Sequence, residues 1–177
     1  SAAMEELFRR SGYEIVDFSA VADAYLINTC VVTNVAQNKS KQMIRRAVRN
    51  NPSAVVAVCG CYAQTAHEEV KSIEGVHLVL GNDRRNDVVQ LVEKVKDSGY
   101  IDAVHALDRK LEFEDMLSGN VENRKRAYLK IQEGCNQYCS YCIIPYARGN
   151  VRSRSIASVL SESKRLVAEG FKEIVLI

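Results

Sequence analysis

Long apolar runs are missing from this 177-residue chain. No stretch approaches the ~20 consecutive apolar residues that cross a bilayer, so no membrane partner is expected. An excess of one charge is missing too. With 24 Lys+Arg against 22 Asp+Glu, only local basic runs bear on an anionic partner. No internal repeat or low-complexity segment is evident. The opening residues SAAMEELFRR carry an amphipathic helix pattern rather than the apolar core of a secretory leader. The expectation is a cytoplasmic, reducing location, where clustered cysteines are metal ligands or redox groups before they are disulfides. The length allows one to two domains and a core that needs no covalent staples.

What is present alternates. Ala2–Arg10 has helical spacing of Met4, Leu7 and Phe8, with Gly12 as a stop. YEIV (13–16) and AYLINT (24–29) read as strands, and a basic helix at 35–49 ends at Asn50, Asn51 and Pro52. AVVAV (54–58) is a buried strand, 63–73 a helix, HLVLG (77–81) a strand and 86–96 a helix. This rhythm predicts a small doubly wound α/β domain over residues 1–97, with a parallel sheet and right-handed crossovers. Residues 98–124 lose the pattern and read as a linker. A second unit begins with RAYLKIQ (126–132), followed by a cysteine loop, a helix at 156–169, Gly170 as its stop, and a strand at 172–177. Residues 125–177 are thus one βαβ portion. Two parallel strands alone cannot bury both faces, so the expectation is that the sequence is a piece of a longer chain.

Three of the six cysteines fall in eight positions, C-x3-C-x2-C, as Cys135, Cys139 and Cys142. An odd number of neighbouring thiols suits disulfides poorly. Structural zinc takes four protein ligands, and a fourth local Cys or His is absent, since His105 lies upstream in the linker. An iron–sulfur cube held by three thiolates keeps one iron open to a small molecule, which is a chemical device. Zinc and cluster both stand as readings of the spacing alone.

The strand, the loop GCNQYCSYCIIPYARG (134–149), the aromatic Tyr141 before the third cysteine and the following helix together resemble the radical S-adenosylmethionine (SAM) enzymes. The longer string, with INTCVVTN (27–34) and CGCYAQ (59–64), resembles the tRNA methylthiotransferases, in particular the threonylcarbamoyladenosine branch. The resemblance implies that the second unit opens a radical-SAM partial TIM barrel. It implies two 4Fe-4S clusters and SAM as cofactors. Cys135, Cys139 and Cys142 would hold the SAM-binding cluster, Cys30 and Cys61 an auxiliary one, and Tyr141 would lie near the SAM adenine. It further implies a tRNA substrate and an electron donor such as flavodoxin or ferredoxin. A third auxiliary cysteine belongs upstream of Ser1 in the family pattern, so this chain by itself is expected to hold that cluster poorly and not to turn over. Sister branches act on isopentenyladenosine tRNA or a ribosomal-protein aspartate. A rival of another class is a zinc- or cluster-bearing RNA-binding module.

Cys30 follows one strand and Cys61 another, so both belong at carboxyl ends of parallel strands, where open α/β sheets build their sites. The plain alternative is two small buried hydrophobes, which is the reading given to Cys59. Three basic runs, 39–49, 124–130 and 149–154, are candidates for an anionic surface. A solvated helix face is the reading for the first, and Arg148 and Arg152 are candidates for phosphate contacts. His67, His77 and His105 read as surface or structural. Tyr138 and Tyr146 read as shields of the loop, and Asn28 and Asn34 as turn residues.

Overall fold

The computed structural model describes residues 2–107, 111–118 and 125–177. Four parallel strands, β1 (Ala24–Thr29), β2 (Val55–Gly60), β3 (Leu78–Leu80) and β4 (Ile101–Ala103), lie side by side in chain order. Alternation along β2 sends Val55, Ala57 and Cys59 to one face and Val56 and Val58 to the other, so every residue of that strand is buried.

Helix α1 (Ala2–Arg10) and helix α5 (Val88–Ser98) cover the first face, with Met4 and Phe8 meeting Val88, Leu91, Val92 and Val95. Helix α2 (Asn34–Asn50) and two short helices, α3 (Cys61–Thr65) and α4 (His67–Lys71), cover the second through Ile44, Ala47, Tyr62 and Val70. Each fully buried aliphatic side chain contributes about 1.5–3 kcal/mol relative to exposure. The architecture is therefore a three-layer α/β sandwich.

Around this sheet four details depart from the sequence expectation. The crossover through α5 runs over the opposite face from those through α2 and α3–α4. In a sheet ordered 1-2-3-4 that gives it the opposite hand, and the apolar stripe shared with α1 holds it there. Tyr13–Val16 forms no strand. Tyr13 packs edge-on to Phe8 while Ile15 and Val16 stay exposed, with no ladder for their backbone. The helix expected over 63–73 breaks at Ala66, whose backbone (φ −139°, ψ 44°) is not helical. Ile101–Ala103, read as linker, adds the fourth strand, pairing Leu78 with Ile101 and Leu80 with Ala103.

In the second unit β5 (Arg126–Leu129) pairs in parallel with β8 (Glu173–Leu176) under helix α7 (Ile156–Ala168), with Leu129, Leu166 and Phe171 as a small core. The single strand expected over 126–132 is interrupted. Ile131 donates to Ile177 O, and the chain then pairs β6 (Gln132–Glu133) antiparallel with β7 (Arg152–Ser153). Residues 111–118 strap the molecule together. Glu114 accepts from Arg85 and the Asn86 N–H, Asp115 meets Arg154, and Ser118 N–H donates to Glu162. Residues 108–110 and 119–124 of the expected linker, including Arg124 of the second basic run, lie outside the described residues.

Ile44→Ala should cost about 2–5 kcal/mol of stability, read from denaturant unfolding, because Ile44 is fully buried between α2 and the sheet. Burial alone would raise the Glu162 carboxyl; hydrogen bonds from Arg165 and the Ser118 N–H outweigh it and hold it below the ordinary carboxylate range. The unfolded chain then binds the extra proton first, so this contribution is present above about pH 4.3 and is lost as pH falls. Glu162→Gln should flatten that acid limb in a pH series of thermal melts.

Candidate metal centre at the junction of the two units

The β1–β2 register ends with Thr29 opposite Gly60. The next residues are Cys30 and Cys61, so the two thiols leave neighbouring strands at the same edge. Thr29 locks this end: its hydroxyl donates to Cys59 O at 2.5 Å and accepts from Ala63 N–H at 3.3 Å. Gly60 turns the chain into α3 at φ +94°, and a Cβ there would lie 2.4 Å from Thr29 O. Cys30 stands exposed, its N–H donating to Ser40 Oγ at 3.3 Å, whereas Cys61 is buried at the first position of α3. Cys59 differs. It is fully buried beside Met4, and burial pushes its thiol up to about 12, which disfavours the thiolate a metal needs.

The second set sits on a loop pinned at both ends. Cys135 N–H donates to Gly149 O, and Gly134 at φ +83° passes so close to Asn150 that a Cβ would meet Asn150 O at 2.0 Å. Asn136 Oδ1 accepts from Val151 N–H (2.9 Å), and Tyr138, itself at φ +45°, donates to Asn150 Oδ1 (2.9 Å) and packs edge-on to Tyr146. Cys139 is exposed, Cys135 and Cys142 partly so, and Tyr141 is 91% exposed beside them. Helix α6 (Ile144–Arg148) leaves this loop immediately after Cys142 and Ile143.

Helix α6 reaches the first unit's edge. Asn82, just past β3, donates to Ala147 O at 2.7 Å, and Arg148 Nε lies 3.5 Å from Cys61 Sγ. That contact, foremost, raises the Arg148 guanidinium above its ordinary value. Below it runs a buried charge network. Glu133 takes Arg85 bidentately (3.2 and 2.5 Å) and Lys130 at 2.6 Å, with Arg152 at 3.5 Å. Burial alone would raise Glu133; the Arg85 pair and Lys130 reverse it and hold the carboxyl low.

Arg152 is the correction among the sequence candidates. It is buried, donates to Arg148 O at 2.7 Å and leans on Glu133, so its guanidinium is committed to the protein rather than to a phosphate. Arg148 remains exposed as a residue while touching Cys61. His77 accepts from Val56 N–H and His105 meets Asp83, both structural roles. Sequence reasoning missed Asn82, Arg85 and Glu133. The signals were present in part: Asn82 follows a strand at the carboxyl edge, and Glu133 precedes the Gly-Cys turn.

The donor chemistry suits iron–sulfur groups: three free thiols on one accessible loop, two more at the strand edge, and Arg148 beside Cys61. A single zinc ion with Zn–S of about 2.3 Å would draw its sulfurs to roughly 3.8 Å. Among the described residues the group of three potential ligands within 4.8 Å of one another is instead His67, Glu68 and Asp102.

A family model described as "Uncharacterized protein family UPF0004" matches residues 1–81. The threonylcarbamoyladenosine tRNA methylthiotransferase MtaB of Bacillus subtilis is 44% identical over 175 residues, 98% of this chain and 39% of that protein. Its Aquifex aeolicus counterpart is 38% identical over 98% of this chain and 42% of its own length. The tRNA-2-methylthio-N(6)-dimethylallyladenosine synthase of Finegoldia magna is 34% identical over all of this chain and 39% of its own. The chain thus spans about two fifths of the relatives it matches. In fold it is similar to the radical S-adenosylmethionine methyltransferase TsrM of Kitasatospora setae, with TM-score 0.55 at 16% identity, over 98% of this chain and 39% of that one.

Gly60→Ala and Gly134→Ala should each cost about 1–3 kcal/mol in denaturant unfolding, since both combine positive φ with a backbone contact that leaves no room for a methyl group.

Proposed function

We propose that this chain, which belongs to the tRNA methylthiotransferase family, serves the methylthiolation of N6-threonylcarbamoyladenosine beside the anticodon of tRNA. One observation carries the reading. The loop of Cys135, Cys139 and Cys142 and the edge bearing Cys30 and Cys61 meet through α6, whose Arg148 touches Cys61. Two cysteine sets built on separate units but joined at one junction suit two cofactors that must work on one substrate.

In this reading Cys135, Cys139 and Cys142 hold a 4Fe-4S cluster that binds SAM, and Cys30 and Cys61 contribute to an auxiliary one. One-electron reduction of a sulfonium, and sulfur for transfer, are what such groups supply at these two places. The protein's own residues fix the geometry. Gly134 and Asn150 hold the loop's entry, Thr29 and Gly60 hold the strand edge, and Glu133 with Arg85 clamps one unit to the other. Tyr141, exposed at the loop, would lie near the SAM adenine. Arg148, exposed as a residue while its Nε meets Cys61, offers a cation to the RNA backbone without reading its sequence. A flavodoxin- or ferredoxin-type donor supplies the electron, in a cytoplasmic setting.

The relative from Finegoldia magna supports a second substrate, dimethylallyladenosine. Nucleoside mass spectrometry of tRNA from a strain lacking the protein, with and without complementation, separates the two. Restoration of the 2-methylthio derivative of threonylcarbamoyladenosine supports the first substrate. A change confined to the dimethylallyl nucleoside supports the second, and no change in either rejects both. The Cys135→Ala/Cys139→Ala/Cys142→Ala variant should lose complementation, along with the iron, sulfide and SAM-dependent electron paramagnetic resonance of one cluster. A colourless protein with stoichiometric zinc would instead favour a metal-fixed RNA-binding module.

A further inference from the structure

Four cations, Arg85, Lys130, Arg148 and Arg152, gather at the junction against two carboxylates, Glu114 and Glu133. Arg85, Lys130 and Arg152 share Glu133, and Arg85 also takes Glu114. Arg148 makes no ion pair with a carboxylate among the described residues; its Nε addresses the Cys61 sulfur. Among the described residues Arg148 is thus the cation of this group with no carboxylate partner, an arrangement that suits a bound anion.

The backbone around Arg148 is fixed from both sides. Asn82 of the first unit holds Ala147 O, and the buried Arg152 holds Arg148 O at 2.7 Å. Gly149 N–H closes the helix on Pro145 O. The position of α6 is thus already held by bonds that do not use the Arg148 side chain. A guanidinium aimed at a sulfur adds something docking does not require: a fixed positive charge beside an atom that becomes anionic when it ligates metal. Because α6 starts two residues after Cys142, that charge moves as one body with the other cysteine loop.

We propose that Arg148 is a positioning residue for the anionic group bound at Cys61, holding that sulfur and its ligand in register with the Cys135–Cys142 loop. This rests on the reading of Cys61 as a cluster ligand. The residue acts through Cys61.

The test has two arms on the whole protein, with Arg148→Met (charge and donor removed, stem kept) and Arg148→Lys (charge kept). In the metal-free protein, a double-mutant cycle of Arg148→Met with Cys61→Ala is read by thermal unfolding. Non-additive shifts are expected, and additive shifts overturn the inference whatever the metal does. After anaerobic reconstitution, iron release to a chelator is followed in a background lacking Cys135, Cys139 and Cys142, and separately in one lacking Cys30 and Cys61. Arg148→Met should speed release about tenfold in the first background and leave the second unchanged, with Arg148→Lys in between. The potential of the remaining cluster in the first background should also fall, since a nearby cation favours the more negative, reduced state. Equal effects in both backgrounds, or none in either, overturn the inference. Failure of the first background to load iron with unsubstituted Arg148, alongside a non-additive cycle, refutes Cys61 as a ligand, and the inference falls with it while the contact stands.

Discussion

Thr29 and Gly60 face each other across the last rung of the β1–β2 ladder, and the rest of the site depends on that rung. Parallel strands put successive carboxyl ends on one edge, so a residue just past each end is a neighbour of the other without any contact between the two helices that follow. Register then decides which residues those are. A slip of one position would exchange Cys61 for its neighbours and turn the alternating core faces inside out, because side chains alternate with a period of two. Val56 and Val58 on one face, and Ala57 and Cys59 on the other, make such a slip costly. The cysteine positions are thus held by the hydrophobic core beneath them.

The second constraint is the clamp between the units. Glu133 ends β6 directly before the Gly134 turn, and Arg85 reaches it from the turn ahead of α5. Removing one partner of such a buried pair typically costs about 3–5 kcal/mol, because the other charge is stranded. Of the three cations that share Glu133, Lys130 and Arg152 belong to its own unit and Arg85 to the first, so the Arg85 pair is the one that spans the seam. Asn82 and Ala147 O add a neutral bond at the same seam. The loop of three thiols is therefore placed against the strand edge by the Arg85–Glu133 pair and the Asn82–Ala147 O bond.

Six cysteines fall into three environments, and environment separates their chemistry where residue type cannot. Cys59, sealed among Met4, Leu80 and Val92, behaves as a small hydrophobe with a thiol kept protonated. Cys61, two residues on, is buried but faces a guanidinium. Cys30 and Cys139 are open to solvent, with Cys135 and Cys142 intermediate. Two residues apart in CGCYAQ, Cys59 and Cys61 thus stand in different surroundings, one among apolar side chains and one beside a guanidinium.

The alternation of apolar strands and amphipathic helices is written in the sequence, because period-2 and period-3.6 patterns are local and any stable fold must bury them. Cys135, Cys139 and Cys142 were legible for the same reason: their spacing is local, and the Gly134 turn before them is a short-range necessity. Cys30 and Cys61 could be placed on one edge from topology alone, since parallel strands share a carboxyl end. Tertiary structure decided the rest. Tyr13–Val16 has strand-like residues but no ladder to join, whereas Ile101–Ala103 lacked a pattern and became a strand because β3 offered one. Arg152 and Arg148 look alike in RGNVRSR. One is buried against Glu133 and the other meets Cys61, for a side chain's partner comes from whichever distant segment packs beside it, and no local pattern encodes that neighbour.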